Sequence, residues 1–145
     1  MPTAPPIGLT HSKTLTVEPG LTVPQVSPAF ADFRNMPPVF ATAYLVGFVE
    51  ATCIEALKPY LTDGRMTVGT HIDISHSAAT PVGMRVTATV ELVAVEGRRL
   101  RFRVHCRDDV EPIAAGHHDR VLIDPPKFLA RVEAKRRTAG AKITP

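Results

Sequence analysis

Between Val39 and Leu57 the chain carries only two charged side chains, Glu50 and Glu55. On a helical wheel Glu55 lies about 60° from Lys58 and makes an ordinary solvated edge, whereas Glu50 is turned about 140° from Glu55. Its neighbours Phe48, Val49, Ala51 and Cys53 leave little wet surface. A carboxylate there needs partners or a raised pKa, and such groups collect at functional sites. Thr42 stands two turns earlier, about 12 Å of rise and about 80° round the wheel, so the two side chains border one pocket without bonding. His76 is singled out by strand parity. It continues the Val68/Ile72/Ile74 face at the end of an alternating run, while His71 falls on the face of Gly69 and Asp73. Together a hydroxyl, a carboxylate and an imidazole offer a polariser, a base or nucleophile, and a proton carrier. Each also has a bland reading: a helix-rim carboxylate, a threonine bonded back to the i−4 carbonyl, and a core histidine bonded to backbone.

The other clusters are less productive. His117 and His118 are adjacent, and adjacent strand residues point to opposite faces, so they cannot chelate together. No second group of His, Asp or Cys has ligand spacing, so no metal is expected. Arg101, Arg103 and Arg107 alternate with apolar residues and read as the wet face of a strand. Gly47 and Gly69 stand alone, without a phosphate-binding loop. Cys53 and Cys106 sit in apolar stretches without CxxC spacing, as two reduced thiols of a cytoplasmic protein do.

Positioning these side chains needs a helix and a sheet. Pro37-Pro38 suit a first helical turn and Pro59 a stop, giving one long helix, apolar nearly all round and wrapped by protein. After Leu61-Thr62-Asp63-Gly64 the period changes to two. Met66, Val68, Thr70, Ile72 and Ile74 form one face of a first strand. Val86, Ala88, Val90, Leu92 and Ala94 follow in a second, then Glu96-Gly97-Arg98 marks a hairpin. Leu100, Phe102, Val104 and Cys106 face inward in a third, and residues 113–123 form a last. KTLTV (13–17) is a short strand before the helix. One-sided alternation means one covered sheet face, and the helix is the cover. The expectation is an α+β hotdog fold, one long central helix wrapped by an antiparallel meander. Residues 1–12 read as a loose arm, 13–126 as the domain, and 127–145 as a basic tail with a short helix over 127–137.

Composition narrows the class. A chain of 145 residues, 44% hydrophobic and 21% charged, is one globular domain. Residues 127–142 carry six Lys/Arg against one Glu, so the basic pI near 9.1 belongs to the tail. The remainder is slightly acidic, which argues against a nucleic-acid surface. No charged segment followed by an apolar run opens the chain, and no apolar run is long enough to span a bilayer. Eight of the fourteen prolines precede residue 39 and shape an ordered loop around Phe30 and Phe33.

Three stretches then carry a resemblance: PPVFATAYLVGFVEATCIEALKPYL, VGTHIDISHSAATPVGMRVTATVELVAVEGRRLRFRV and AAGHHDRVLI. They closely resemble the fluoroacetyl-CoA thioesterase family of hotdog proteins over residues 13–137. By that resemblance the catalytic threonine falls on Thr42, the glutamate on Glu50 and the histidine on His76. A strand glycine beside the thioester carbonyl maps to Gly69, and an arginine toward the coenzyme A end of the pocket to Arg120. Phe33 matches one of two aromatic lid residues, and Met36 replaces the other. Methionine has no ring, so the lid has another shape and polarity.

The resemblance implies hydrolysis of a short-chain, or fluoroacetyl, CoA thioester to carboxylate and free coenzyme A. No cofactor is needed, since coenzyme A is part of the substrate. A homodimer with sites at the interface is implied too, because one helix on one sheet leaves an open edge. The alternative is a non-catalytic acyl-CoA-binding module. A hydratase needs an Asp/His pair on a loop–helix segment, which Asp73 and His71 do not form.

Overall fold

A computed structural model describes residues 4–143; the extreme ends of the arm and of the basic tail lie outside them. Strands β1 (Thr10–Thr16), β2 (Met66–His76), β3 (Arg85–Glu96), β4 (Arg99–Asp108) and β5 (Pro112–Ile123) form one antiparallel sheet in the order β1-β3-β4-β5-β2. Helix α1 (Thr42–Leu57) covers one face, and α2 (Pro125–Ile143) follows the last strand. This is the expected α+β arrangement with one correction. Only β3-β4-β5 is a meander; β2 crosses over to pair with β5 at the far edge.

The core is built as the alternation requires. Val86, Ala88, Val90 and Leu92 of β3 and Leu100, Phe102, Val104 and Cys106 of β4 are sealed against Leu45, Phe48, Val49, Cys53, Ala56 and Leu57 of α1. Each large apolar side chain so buried contributes about 1.5–3 kcal/mol relative to exposure. Gly97, at φ 61°, supplies the left-handed residue that the β3–β4 hairpin needs.

Three boundaries differ from the sequence reading. Pro37-Pro38 do not open α1. Val39 and Phe40 are extended, bridged to Pro81 and Thr22, and the Phe40 and Ala41 amides donate to the Thr80 and Leu21 carbonyls. That pairing satisfies the backbone outside a helix and delays the helix to Thr42. The arm is also shorter, since Gly8 already donates to the Leu92 carbonyl and β1 begins at Thr10. At the other end Pro125-Pro126 stop β5 and also open α2, which runs through Ile143.

Within one chain α1 is not wrapped all round. Ala43, Gly47, Ala51 and Ile54 stay exposed along one flank, and β2 presents its outer edge unpaired.

The decisive irregularity is a bulge in β2. Gly69 pairs with Arg120 and His71 with Asp119, so Thr70 has no partner on β5. Paired residues share a face, and a one-residue insertion reverses the alternation beyond it. Ile72, Ile74 and His76 pair with His118, Gly116 and Ala114 on the helix side, as expected for His76. Val68, opposite Val121, faces the other way, and Gly69 joins the helix side with Arg120. The unbroken face from Met66 through Ile74 is therefore corrected: Gly69 is on the inner face and Met66 and Val68 on the outer.

Candidate active site

Thr42 is the first residue of α1, one position late for an N-cap; Ala41 caps without a side-chain bond. A missing Ser/Thr/Asp/Asn cap costs a helix about 1 kcal/mol. The Thr42 hydroxyl is committed elsewhere: Oγ1 lies 2.7 Å from Nδ1 of His76. The bond back to the i−4 carbonyl is thus not what Thr42 makes. Thr52 makes that bond instead, to the Phe48 carbonyl at 2.7 Å. Burial lowers the His76 pKa below the usual histidine value, opposed by the Ala78 carbonyl. Its Nε2 is buried with no hydrogen-bond partner among the described residues. Thr42 and His76 line a cavity of about 200 Å³ with Phe40, Ser77 and Ala79. A hydroxyl and a neutral imidazole in direct contact can pass a proton between them.

Glu50 occupies a different pocket. Two helical turns separate it from Thr42, and the single chain does not bring the three residues into one cavity. Glu50 lines a space of about 240 Å³ with Val46, Gly69, His71, Ile72 and His118. Its side chain keeps 39% exposure, so it is not the sealed carboxylate that its apolar neighbours in sequence suggest. It is anchored by Arg120, whose Nη1 donates to Oε2 at 2.9 Å. A carboxylate that is open to a pocket on one side and held by a cation on the other can meet a substrate while keeping its orientation.

Arg120 is 3% exposed, and its donors are engaged inside the protein. Nε donates to Thr67 Oγ1 at 2.8 Å and Nη2 to the Thr67 carbonyl at 2.9 Å. Nη1 serves both Glu50 and Nε2 of His118, the latter at 3.0 Å. Four of the five guanidinium N–H groups are occupied by these bonds. The expected pairing of Arg120 with the pantetheine or phosphate end of coenzyme A gives way to a buried clamp on Glu50.

Gly69 lies directly over that clamp. A Cβ built on it would stand 2.6 Å from Glu50 Oε2 and 3.1 Å from His118 Cε1. Phe33 and Met36, the expected lid residues, belong to the segment before α1. Phe33 packs on Phe30 with centroids 5.3 Å apart, while Met36 is 49% exposed, and neither lines the two pockets. His118 is the site residue that sequence reasoning passed over. Its i, i+2 spacing from Arg120 on a strand was the available signal, since it puts both on one face. Cys53 is buried and its thiol is pushed up to about 12, chiefly by burial, so it is no nucleophile. Among the described residues no cluster of three His, Cys, Asp or Glu could hold a metal. Among the described residues no helix is long and apolar enough to cross a membrane.

Comparison with known proteins places the chain in a family. Residues 23–125 match the family described as fluoroacetyl-CoA-specific thioesterase. The fluoroacetyl-CoA thioesterase of Streptantibioticus cattleyicolor is 43% identical over 129 residues, covering 89% of this chain and 93% of that protein. A solved structure of a fluoroacetyl-CoA thioesterase superposes with a TM-score of 0.89 at 41% identity, covering 92% of this chain and 98% of the other. A thioesterase-superfamily protein from Thermus thermophilus, at 24% identity and TM-score 0.85, covers 95% of this chain and 98% of its own and shares the fold. The chain belongs to the fluoroacetyl-CoA-specific thioesterase family.

Proposed function

We propose that the protein is an acyl-CoA thioesterase that hydrolyses short-chain CoA thioesters, fluoroacetyl-CoA among them, to carboxylate and free coenzyme A. The observation that carries this reading is Glu50, clamped by Arg120 and facing a small pocket, in a member of that family. Thr42 orients the thioester carbonyl through its hydroxyl. Glu50 takes a proton from water as the water oxygen adds to the carbonyl carbon, and the C–S bond then breaks; or its own oxygen adds first, the C–S bond breaks to leave an anhydride, and water then opens that anhydride. In either route the leaving thiolate receives a proton relayed through Glu50 or His76. Labelled water identifies the nucleophilic route when water opens the anhydride at the Glu50 carboxyl carbon, because that path alone leaves ¹⁸O in Glu50 after a single turnover.

The working unit in this proposal is a homodimer. Two observations support it: the open β2 edge and the uncovered α1 flank ending at Ile54, which is 41% exposed. Two copies of β2 paired about a two-fold axis run in opposite directions. The His76 end of one copy then lies beside the Gly69 end of the other, so the Thr42–His76 cavity of one copy adjoins the Glu50 pocket of its mate. A reducing compartment, the cytoplasm, suits the two free buried thiols.

Met36 in place of a lid aromatic relaxes acyl selection. Thiol release is to be measured on acetyl-, fluoroacetyl-, propionyl- and arylacetyl-CoA. Turnover of acetyl- and propionyl-CoA beside fluoroacetyl-CoA is expected; binding of all four without thiol release would leave an acyl-CoA-binding module instead.

A further inference from the structure

His118 is 2% exposed at the floor of the Glu50 pocket, and the mechanism above assigns it nothing. Two bonds fix its state. Its Nδ1 lies 2.8 Å from the His71 carbonyl oxygen, which can only accept, so Nδ1 carries the proton. Its Nε2 lies 3.0 Å from Arg120 Nη1, which can only donate, so Nε2 presents a lone pair. The ring is therefore neutral and in one tautomer. Nη1 of Arg120 is fixed from two sides, by this lone pair and by Glu50 Oε2.

We propose that His118 is a positioning residue: as a neutral acceptor it sets the Arg120 edge that holds the Glu50 carboxylate over Gly69. Protonating His118 would remove the acceptor and set two cations 3.0 Å apart. It would also offer Glu50 Oε2, now 4.0 Å from Nε2, a competing donor. The charged groups acting on the ring are Arg120 on β5 and Glu50 on α1, with Asp119 behind it on the outer face of the sheet; β2 contributes the His71 carbonyl, and β4 places uncharged Phe102 opposite. Burial and Arg120 both disfavour the cation, while the His71 carbonyl, Glu50 and Asp119 favour it, and the balance lowers the pKa. The clamp thus survives below the usual histidine range.

This inference rests on Glu50 acting in hydrolysis, so the test runs E50Q in parallel with His118→Phe and His118→Gln, using acetyl-CoA and thiol release across pH. Phenylalanine fills the site without an acceptor, and a misplacement of the carboxylate by about 1 Å is expected to lower kcat about 10²-fold with KM nearly unchanged. Glutamine restores an acceptor that does not titrate; kcat returns to within about tenfold of the native value, and its acid limb moves to lower pH. Native kcat in H118F, or a loss in H118Q equal to that in H118F, overturns the proposal. Native turnover in E50Q overturns the underlying role of Glu50 instead. If neither His118 variant folds, ¹⁵N NMR of the unaltered protein decides. A neutral Nδ1–H ring at pH 7 is expected, and a cationic or Nε2–H ring sinks the idea.

Discussion

A Cβ on Gly69 and the Glu50 carboxylate could not both hold their places: the added carbon would stand 2.6 Å from the carboxylate oxygen Oε2. The helix side chain rests against the bare backbone of β2, and Arg120 reaches the same oxygen from β5 at 2.9 Å. A single methyl group is expected to push the carboxylate off its clamp. In G69A, thiol release should fall about 10²-fold, as for a displacement near 1 Å. The backbone of Gly69 is not in the left-handed region, so the thermal midpoint should move by only a few degrees. Native turnover in G69A would show that the carboxylate has room to spare.

Glu50→Gln keeps the volume and removes the charge. Loss of a positioned base or nucleophile costs about 10²–10⁴-fold, and that range is expected for kcat with the fold intact by circular dichroism.

Stability should decline as the solution is acidified from neutrality. His76 and His118 both have pKa values lowered by burial in the folded chain. The unfolded chain therefore binds more protons between the folded values and about 6.5. Their contribution is complete above about 6.5 and is lost as pH falls through the folded values. Urea midpoints should drop between pH 7.5 and 5.5, and less steeply in H118Q. The buried carboxylates Asp108 and Asp119, whose pKa values are lowered by hydrogen bonds and ion pairs against an opposing burial effect, add a second loss only below the usual carboxylate range.

On the outer face of the sheet, Asp119 is 1% exposed and accepts from Arg99 at 2.7 Å and Arg101 at 2.9 Å. The two sides of this cluster are unequal, because the arginines are half in water and the carboxylate is not. Removing both guanidinium groups (Arg99→Ala with Arg101→Ala) strands a buried charge and should cost about 3–5 kcal/mol. Asp119→Asn leaves only a neutral amide there and should cost about 1–2 kcal/mol. Equal urea shifts for the two variants would contradict this asymmetry.

A charge on the open flank of α1 should separate the proposed dimer. Ile54→Lys is expected to sediment as a folded monomer with little thiol release, where the native chain sediments as a dimer. A native chain that is monomeric and fully active at micromolar concentration would refute the paired site.

Much of the architecture was legible because it is local. The alternation in β3 and β4 is unbroken enough to name Val86, Ala88, Val90, Leu100, Phe102 and Val104 as core, and all are sealed. Thr42 is singled out by its place two turns before Glu50 and His76 by strand parity, and the two side chains touch. What was not legible depends on partners. The β2 bulge exists through pairing with β5, and no residue type at Thr70 announces it. The late start of α1 depends on Thr80 and Leu21, remote in sequence, accepting backbone bonds. Arg120 is assigned to the coenzyme A end of the pocket by resemblance alone, because a lone arginine in HDR says nothing of Thr67, Glu50 and His118 converging on it.

The bulge between Gly69 and His71 also acts as a phase lock for anything laid along β2. A regular edge strand can slide by two residues against a neighbour and still present the same face. A strand with a phase shift cannot do so freely, because a slide that carries a partner's regular run past Thr70 pairs inward side chains with outward ones. Thr70, with no register partner on β5, therefore marks the one point along the edge that a regular strand cannot cross in phase.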